Sequence, residues 1–151
     1  MIEAFWAEFV AATGVDGPYE AWAFGDPSLP ELATELALLV RDGPKRATAG
    51  LASDYEDGKE PMPKPGDLNL ILDGDGMPVC VMRTTVVSLR RFGDVDEAFA
   101  WEEGEGDRTL AWWRAGHLQF FESVGVAVDD DTMMMLEHFE LLWPTPTPPV
   151  S

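Results

Sequence analysis

The 151-residue sequence predicts an α+β fold, a small, mostly antiparallel sheet or open barrel flanked by helices. Three observations predict it. Three segments carry apolar residues at helical spacing. Three others are short apolar or β-branched runs bounded by turn residues. With so few strands, each has to be long and curved to build a core. No internal repeat and no long linker divides the chain, so it reads as one domain.

The first helix is expected over Ile2 to Ala12, where Phe5, Phe9 and Ala12 share a stripe and Gly14 supplies the stop. A loop follows, with Gly17-Pro18, Gly25 and Pro27; its Tyr19, Trp22 and Phe24 lie against the core. The second helix places Leu29, Leu32, Ala33, Leu36, Leu39 and Val40 on one face. Ser28 is its expected cap, Glu31 the capping-box partner, and Gly43 its end. The segment 56–66 is a Pro/Gly-rich loop. Leu68 to Leu72 is a short strand, Asp73-Gly74-Asp75-Gly76 a hairpin turn, and Pro78 to Leu89 a long β-branched strand. An acidic block, 94–107, has Phe92, Val95, Phe99 and Trp101 interleaved, so parts of it must pack. The third helix shows a stripe of Leu110, Trp113, His117, Phe120, Phe121 and Val124, with Asp107 as its cap. Met133 to Trp143 is the last strand, and the Pro-rich tail 144–151 can join neither a helix nor a central strand.

Charge excludes several function classes. Ten Lys and Arg against 28 Asp and Glu leave a formal net charge of −18. Proteins that grip a duplex or a long single strand cluster Lys and Arg over its phosphates, so double-stranded DNA is not an expected partner. Anionic membrane surfaces also need basic clusters, and no run approaches the roughly 18 apolar residues of a membrane helix. The N-terminus has no signal-peptide pattern, which makes the cytoplasm the expected location. One cysteine, Cys80, excludes an internal disulfide and a multi-Cys zinc site. The negative excess is uneven, however. It concentrates in 56–60, 94–107 and 129–131, while Lys45, Arg46, Arg83, Arg90 and Arg91 lie outside those runs. A local basic pocket for one small molecule is therefore compatible with the charge.

Two motifs carry a resemblance. The second helix runs into Gly43-Pro44-Lys45-Arg46-Ala47-Thr48, and Pro65-Gly66-Asp67 opens the first strand of the hairpin. Further on stands Glu103-Gly104-Glu105-Gly106-Asp107-Arg108-Thr109-Leu110-Ala111-Trp112-Trp113-Arg114, with His117 and Phe120-Phe121 one and two turns later. In this order they resemble the ASCH domain family, whose signature is a G-x-K-x-x-T loop and whose fold is a PUA-like β-barrel. The resemblance covers about residues 19–143, leaving 1–18 as an N-terminal helical extension. That extension is a lid or a dimer contact, with monomer and homodimer both open. The family implies two kinds of activity. One branch hydrolyses N4-acylated cytidines with a Lys and a Thr of the loop and a downstream Glu. Other members are implied to bind RNA or to cleave single strands weakly. The partners implied are accordingly a small nucleoside or short single-stranded RNA.

By the resemblance, the catalytic residues are Lys45, Thr48 and Glu105, with Glu103 the alternative acid. A Thr hydroxyl needs a base beside it to act as a nucleophile, a part that a desolvated Lys45 can play, and Glu105 can then carry the proton to a leaving amine. Arg46 and Arg83 either complete a positive pocket or pair with surplus carboxylates. Arg108 is a further pocket candidate. Trp112 and Trp113 point to different helix faces; one belongs to the core, and Trp112 with Tyr55 can stack on a base. His117 reads as a hydrogen-bonded core residue and Cys80 as a small buried hydrophobe. Neither a metal nor a cofactor is expected, since the EF-hand spacing is absent and two histidines and one cysteine are too few for a His-rich or multi-Cys site. With no recognisable Ser or Cys partner for His117 or His138, a triad is not expected either.

Overall fold

The computed structural model describes residues 1–56 and 58–145. Its elements are α1 (Ile2–Thr13), β1 (Tyr19–Ala23), α2 (Pro30–Asp42), β2 (Ala47–Leu51), β3 (Leu68–Leu72), β4 (Pro78–Arg91), α3 (Glu97–Glu103), α4 (Leu110–Ser123) and β5 (Met133–Trp143). Single 3-10 turns follow β2, at Ala52–Tyr55, and β4, at Phe92–Asp94. The five strands form one curled half-barrel sheet in the order β1-β3-β4-β5-β2. Among the described residues only the β1–β3 pairing is parallel. The α+β, mostly antiparallel expectation is thus met.

The curl has a local cause. The register between β4 and β5 shifts at Val81/Met82 and again at Thr84/Val86. Each shift bends the longest strand pair and increases its twist. The helices then fill the outside and the ends. Leu36, Ala37 and Val40 of α2 pack on Ile71, Cys80, Met82 and Phe139. Phe99 and Ala100 of α3, with Trp113 and Phe121 of α4, close over Ala47, Phe92, Met134 and Leu136. Trp6 and Phe9 of α1 pack on Leu70 and Val81. Burial of each such large side chain stabilises the fold by roughly 2 kcal/mol.

Four local expectations are corrected. The segment expected as a loop over 14–27 contains the edge strand β1. The acidic block contains α3, whose start is fixed by the Asp96 carboxylate accepting from the Phe99 N–H at 2.9 Å. Ser28 does not cap α2; its hydroxyl donates to Asp26 at 2.7 Å, and Leu29 holds the cap position. The cap of α4 is Thr109, whose hydroxyl accepts from the Trp112 N–H at 3.1 Å, while Asp107 accepts from Thr109. Of the tail expected over 144–151, residues 146–151 lie outside the described residues. No described helix is long and apolar enough to cross a membrane.

Candidate functional site

Lys45 sits between the end of α2 and the start of β2 and is only 1 % exposed. A buried ammonium needs partners for all its hydrogens, and three acceptors surround it. Nζ donates to the Ala47 carbonyl at 2.8 Å, to Glu105 Oε2 at 2.8 Å and, more weakly, to the Glu103 carbonyl at 3.4 Å. Glu103 Oε2 lies 3.5 Å away as a second counter-charge.

Glycines bring these groups together. α3 ends at Gly104 in the left-handed region, φ +70°. A Cβ there would stand 2.9 Å from both Cα and N of Lys45. Only a residue without a side chain lets the α3 terminus press on the Lys45 backbone, where the Arg46 N–H donates to the Glu102 carbonyl at 2.7 Å. Glu103 and Glu105 then flank that contact. Gly106 serves Trp112 in the same way, since a Cβ at Gly106 would lie 2.1 Å from the indole.

α4 adds His117. Its Nδ1 is 2.8 Å from the Trp113 carbonyl, an acceptor only, so Nδ1 carries a proton and donates. Nε2 faces Glu103 Oε1 at 3.4 Å. Neither Glu103 oxygen has a well-formed hydrogen bond among the described residues, and Glu103 is only 1 % exposed. Burial alone raises a carboxyl, but Lys45 and His117 outweigh it and hold Glu103 well below the usual carboxylate range. Glu105 goes the other way. Burial, and then Glu103 beside it, push its carboxyl up to about 7 against the pull of Lys45. Burial disfavours the His117 imidazolium, yet the Glu103 charge more than compensates and raises its value. The cluster therefore separates two carboxyls into one held ionised and one that exchanges its proton near neutrality. Such a split marks acid–base sites.

The cluster borders a cavity of about 940 Å³. Glu103, Glu105 and His117 line one part of it, and Thr48 and Glu137 line it from the β2–β5 pair. Trp22, Phe24, Tyr55, Trp112 and Phe120 supply aromatic surface. Burial pushes the Tyr55 phenol up to about 12, so it stays a neutral hydrogen-bond donor.

The expected site residues divide in two. Lys45, Glu105 and Glu103 meet, and Thr48, Tyr55 and Trp112 line the same cavity. The three arginines do not line it. Arg46 donates to the Val40 and Lys45 carbonyls at 3.0 and 2.6 Å, closing the end of α2. Arg83 pairs with Glu140 on the outer surface. Arg108 stacks on the Trp101 ring at 3.6 Å and donates to the Trp101 carbonyl. His117 and Glu137 were not singled out as site residues by the sequence. A Glu that follows the apolar run Met133 to Leu136 within the expected strand is the signal that points to Glu137. Among the described residues no three His, Cys, Asp or Glu side chains group to hold a metal ion.

The model of the ASCH domain matches residues 20–143. The chain belongs to the ASCH domain family. It is similar to the crystal structure of an ASCH domain from Lactobacillus crispatus JV V101, with 32% identity and a TM-score of 0.77, over 93% of this chain and 92% of that one. It is also similar to a crystal structure of a protein from Enterococcus faecalis V583 assigned to the DUF984 family, with 32% identity and a TM-score of 0.78, over 93% and 89% of the two chains. A comparison with curated proteins found no match. In this ASCH domain Lys45 of the G-x-K-x-x-T loop and the acids Glu103 and Glu105 are direct partners.

Proposed function

We propose that this ASCH domain hydrolyses an amide on a small modified nucleoside of the N4-acylcytidine type. The observation that carries the reading is the Lys45–Glu105 pair at the edge of an aromatic-lined cavity that Thr48 also lines. In this reading Thr48 Oγ1 attacks the acyl carbonyl, and its proton passes to the ionised Glu105. Glu105 returns that proton to the amine as the C–N bond breaks, leaving an acyl ester on Thr48. Water then attacks the ester with Glu105 again as base, releasing a carboxylic acid and restoring the hydroxyl. A value near 7 suits a group that must both take and give a proton at neutral pH. Lys45, expected as the base for Thr48, directs its three hydrogens at three acceptors, so in this reading it holds Glu105 in place and balances its charge while Glu105 takes the proton.

Two observations favour a nucleoside over short single-stranded RNA, the other partner the family implies. Arg46, Arg83 and Arg108 are engaged by protein groups rather than free for phosphates. Among the described residues the cavity lining carries Glu20, Asp54, Glu60 and Asp67 against Lys64, and such a field repels a phosphate chain.

The test is incubation with N4-acetylcytidine, following acetate release. The wild-type chain should release acetate and cytidine, and Thr48→Ala and Glu105→Gln should each lose about a hundredfold or more. A wild-type chain that releases nothing overturns the reading. An RNA titration at low salt, where phosphate contacts are strongest, separates the alternative; RNA binding there without acetate release would favour it.

A further inference from the structure

A line of side-chain hydrogen bonds crosses four adjacent strands of the sheet and ends in the cavity. Trp22 Nε1 on β1 donates to Asn69 Oδ1 on β3 at 3.0 Å. Asn69 Nδ2 donates to Thr84 Oγ1 on β4 at 3.1 Å. Thr84 Oγ1 donates to Glu137 Oε2 on β5 at 2.7 Å. The direction of the line is fixed at its first member. An indole N–H can only donate, so the Asn69 oxygen must face it and the Asn69 amide hydrogens must face away. One of those hydrogens is directed to the Asp67 carbonyl at 3.3 Å and the other to Thr84. The single Thr84 hydroxyl hydrogen is then left for Glu137, which receives as an acceptor.

Asn69, Thr84 and Glu137 are 6 %, 1 % and 3 % exposed. A buried polar line is costly unless every member is satisfied, and here the line satisfies one Glu137 oxygen and, among the described residues, leaves the other without a hydrogen bond. Glu137 lines the cavity, which leaves its second oxygen available as an acceptor for what the cavity holds. Its place is next to the proposed chemistry, because Glu137 and Thr48 are direct cross-strand partners of the β2–β5 pairing. Directly opposed residues on one face stand about 5 Å apart at Cβ. The line serves no member of the Lys45 cluster, and the amide hydrolysis as written above does not use it.

We propose that Glu137 is a substrate-binding residue that accepts a hydrogen bond from the exocyclic N–H of a heterocyclic base. A carboxylate takes such a bond from the N4 position of cytosine and is repelled by the carbonyl oxygen that uracil presents there. An N4-acyl amide keeps one N–H, so substrate and product are both read. This deepens the nucleoside reading and rests on it for the class of ligand, but binding alone tests it.

The experiment is calorimetric titration of cytidine and of uridine into the wild-type chain, Glu137→Gln and Thr84→Val. The wild type should prefer cytidine by about tenfold or more. Glu137→Gln, which keeps the shape and can still accept from Thr84 while offering a donor to the base, should lose or reverse that preference. Thr84→Val, which removes the aiming hydrogen bond, should reduce it. Thermal melting checks that each variant is folded; if Glu137→Gln is not, Thr84→Val carries the comparison. Equal wild-type affinity for the two nucleosides overturns the assignment, as does a preference unchanged in the variants or no binding of either nucleoside. The two readings fail separately. A Glu137-dependent cytidine preference without N4-acetylcytidine hydrolysis sustains the recognition and removes the hydrolase, whereas hydrolysis with an unaltered preference in Glu137→Gln does the reverse.

Discussion

Lys45 Nζ lies 2.8 Å from Glu105 Oε2, yet the Glu105 carboxyl is pushed up to about 7. The reason is the second carboxyl. Burial and the neighbouring Glu103, which keeps its charge with the help of His117, make a further negative charge costly in the same space.

Stability should follow pH accordingly. Glu105 binds its proton more tightly in the folded chain than in the unfolded one, where the ordinary value is 4.5. Its contribution is full below pH 4.5 and is lost as pH rises through about 7. His117, raised above 6.5, loses its contribution in the same direction at higher pH. Glu103 is lowered, so its contribution is present above 4.5 and is lost only in acid. Thermal melting of the wild type should therefore fall by a few degrees between about pH 4.5 and 7, and Glu105→Gln should flatten that segment. Parallel curves for the two proteins would contradict this account.

Lys45→Met should be severely destabilising, by about 3–5 kcal/mol in urea denaturation, because it leaves Glu103 buried without its main counter-charge. The diagnostic is the double variant. Adding Glu103→Gln removes the stranded charge, so Lys45→Met/Glu103→Gln should be more stable than Lys45→Met alone. Strict additivity would mean that Lys45 acts through packing and not through charge.

Gly104 offers a test of how the two motifs are joined. Gly104→Ala meets both a left-handed backbone and a 2.9 Å approach to Lys45. Its cost should be about 2 kcal/mol or more, lowering the melting temperature by about 4–8 °C. Gly125→Ala is the control, with φ +77° but nothing within 4 Å of its Cβ. It should lose only the strain, about 1 kcal/mol. Similar losses in the two variants would show that the contact with Lys45 is not tight.

The elements that were legible in the sequence are those whose pattern is local. Leu68–Leu72 and Met133–Trp143 stand between turn residues, and α2 carries its stripe over three turns. β1 was hidden because it is a five-residue edge strand whose Glu20 and Ala21 are exposed, which erases the alternation. α3 was hidden because seven residues give too little period, and its start depends on the Asp96 cap. The site follows the same division. Lys45 and Glu105 belong to motifs, but Asn69 is a lone polar residue in β3 and Glu137 stands beside His138 in a strand that also carries Glu140, with no motif around either. They acquire a common purpose only when the sheet aligns Trp22, Asn69, Thr84 and Glu137 across four strands. The arginines misled because a basic residue in an acidic chain reads as a pocket, whereas surplus carboxylates and helix-end carbonyls supply partners nearer at hand.

Trp112 and Trp101 separate binding from packing. The two indoles are 41 % and 55 % exposed, so each keeps only part of its ring against the protein, and Ala at either position should cost about 1–2 kcal/mol of stability, less than the loss of a core Trp. Trp112 lines the cavity, and Trp101, under the Arg108 guanidinium, does not. If the aromatic wall holds a base by stacking, Trp112→Ala should weaken cytidine binding by about five- to a hundredfold, the range that stacking on one aromatic supplies. Trp101→Ala should leave it unchanged. Calorimetric titration of cytidine into the two variants reads this directly, and equal affinities would place the base away from the Trp112 wall.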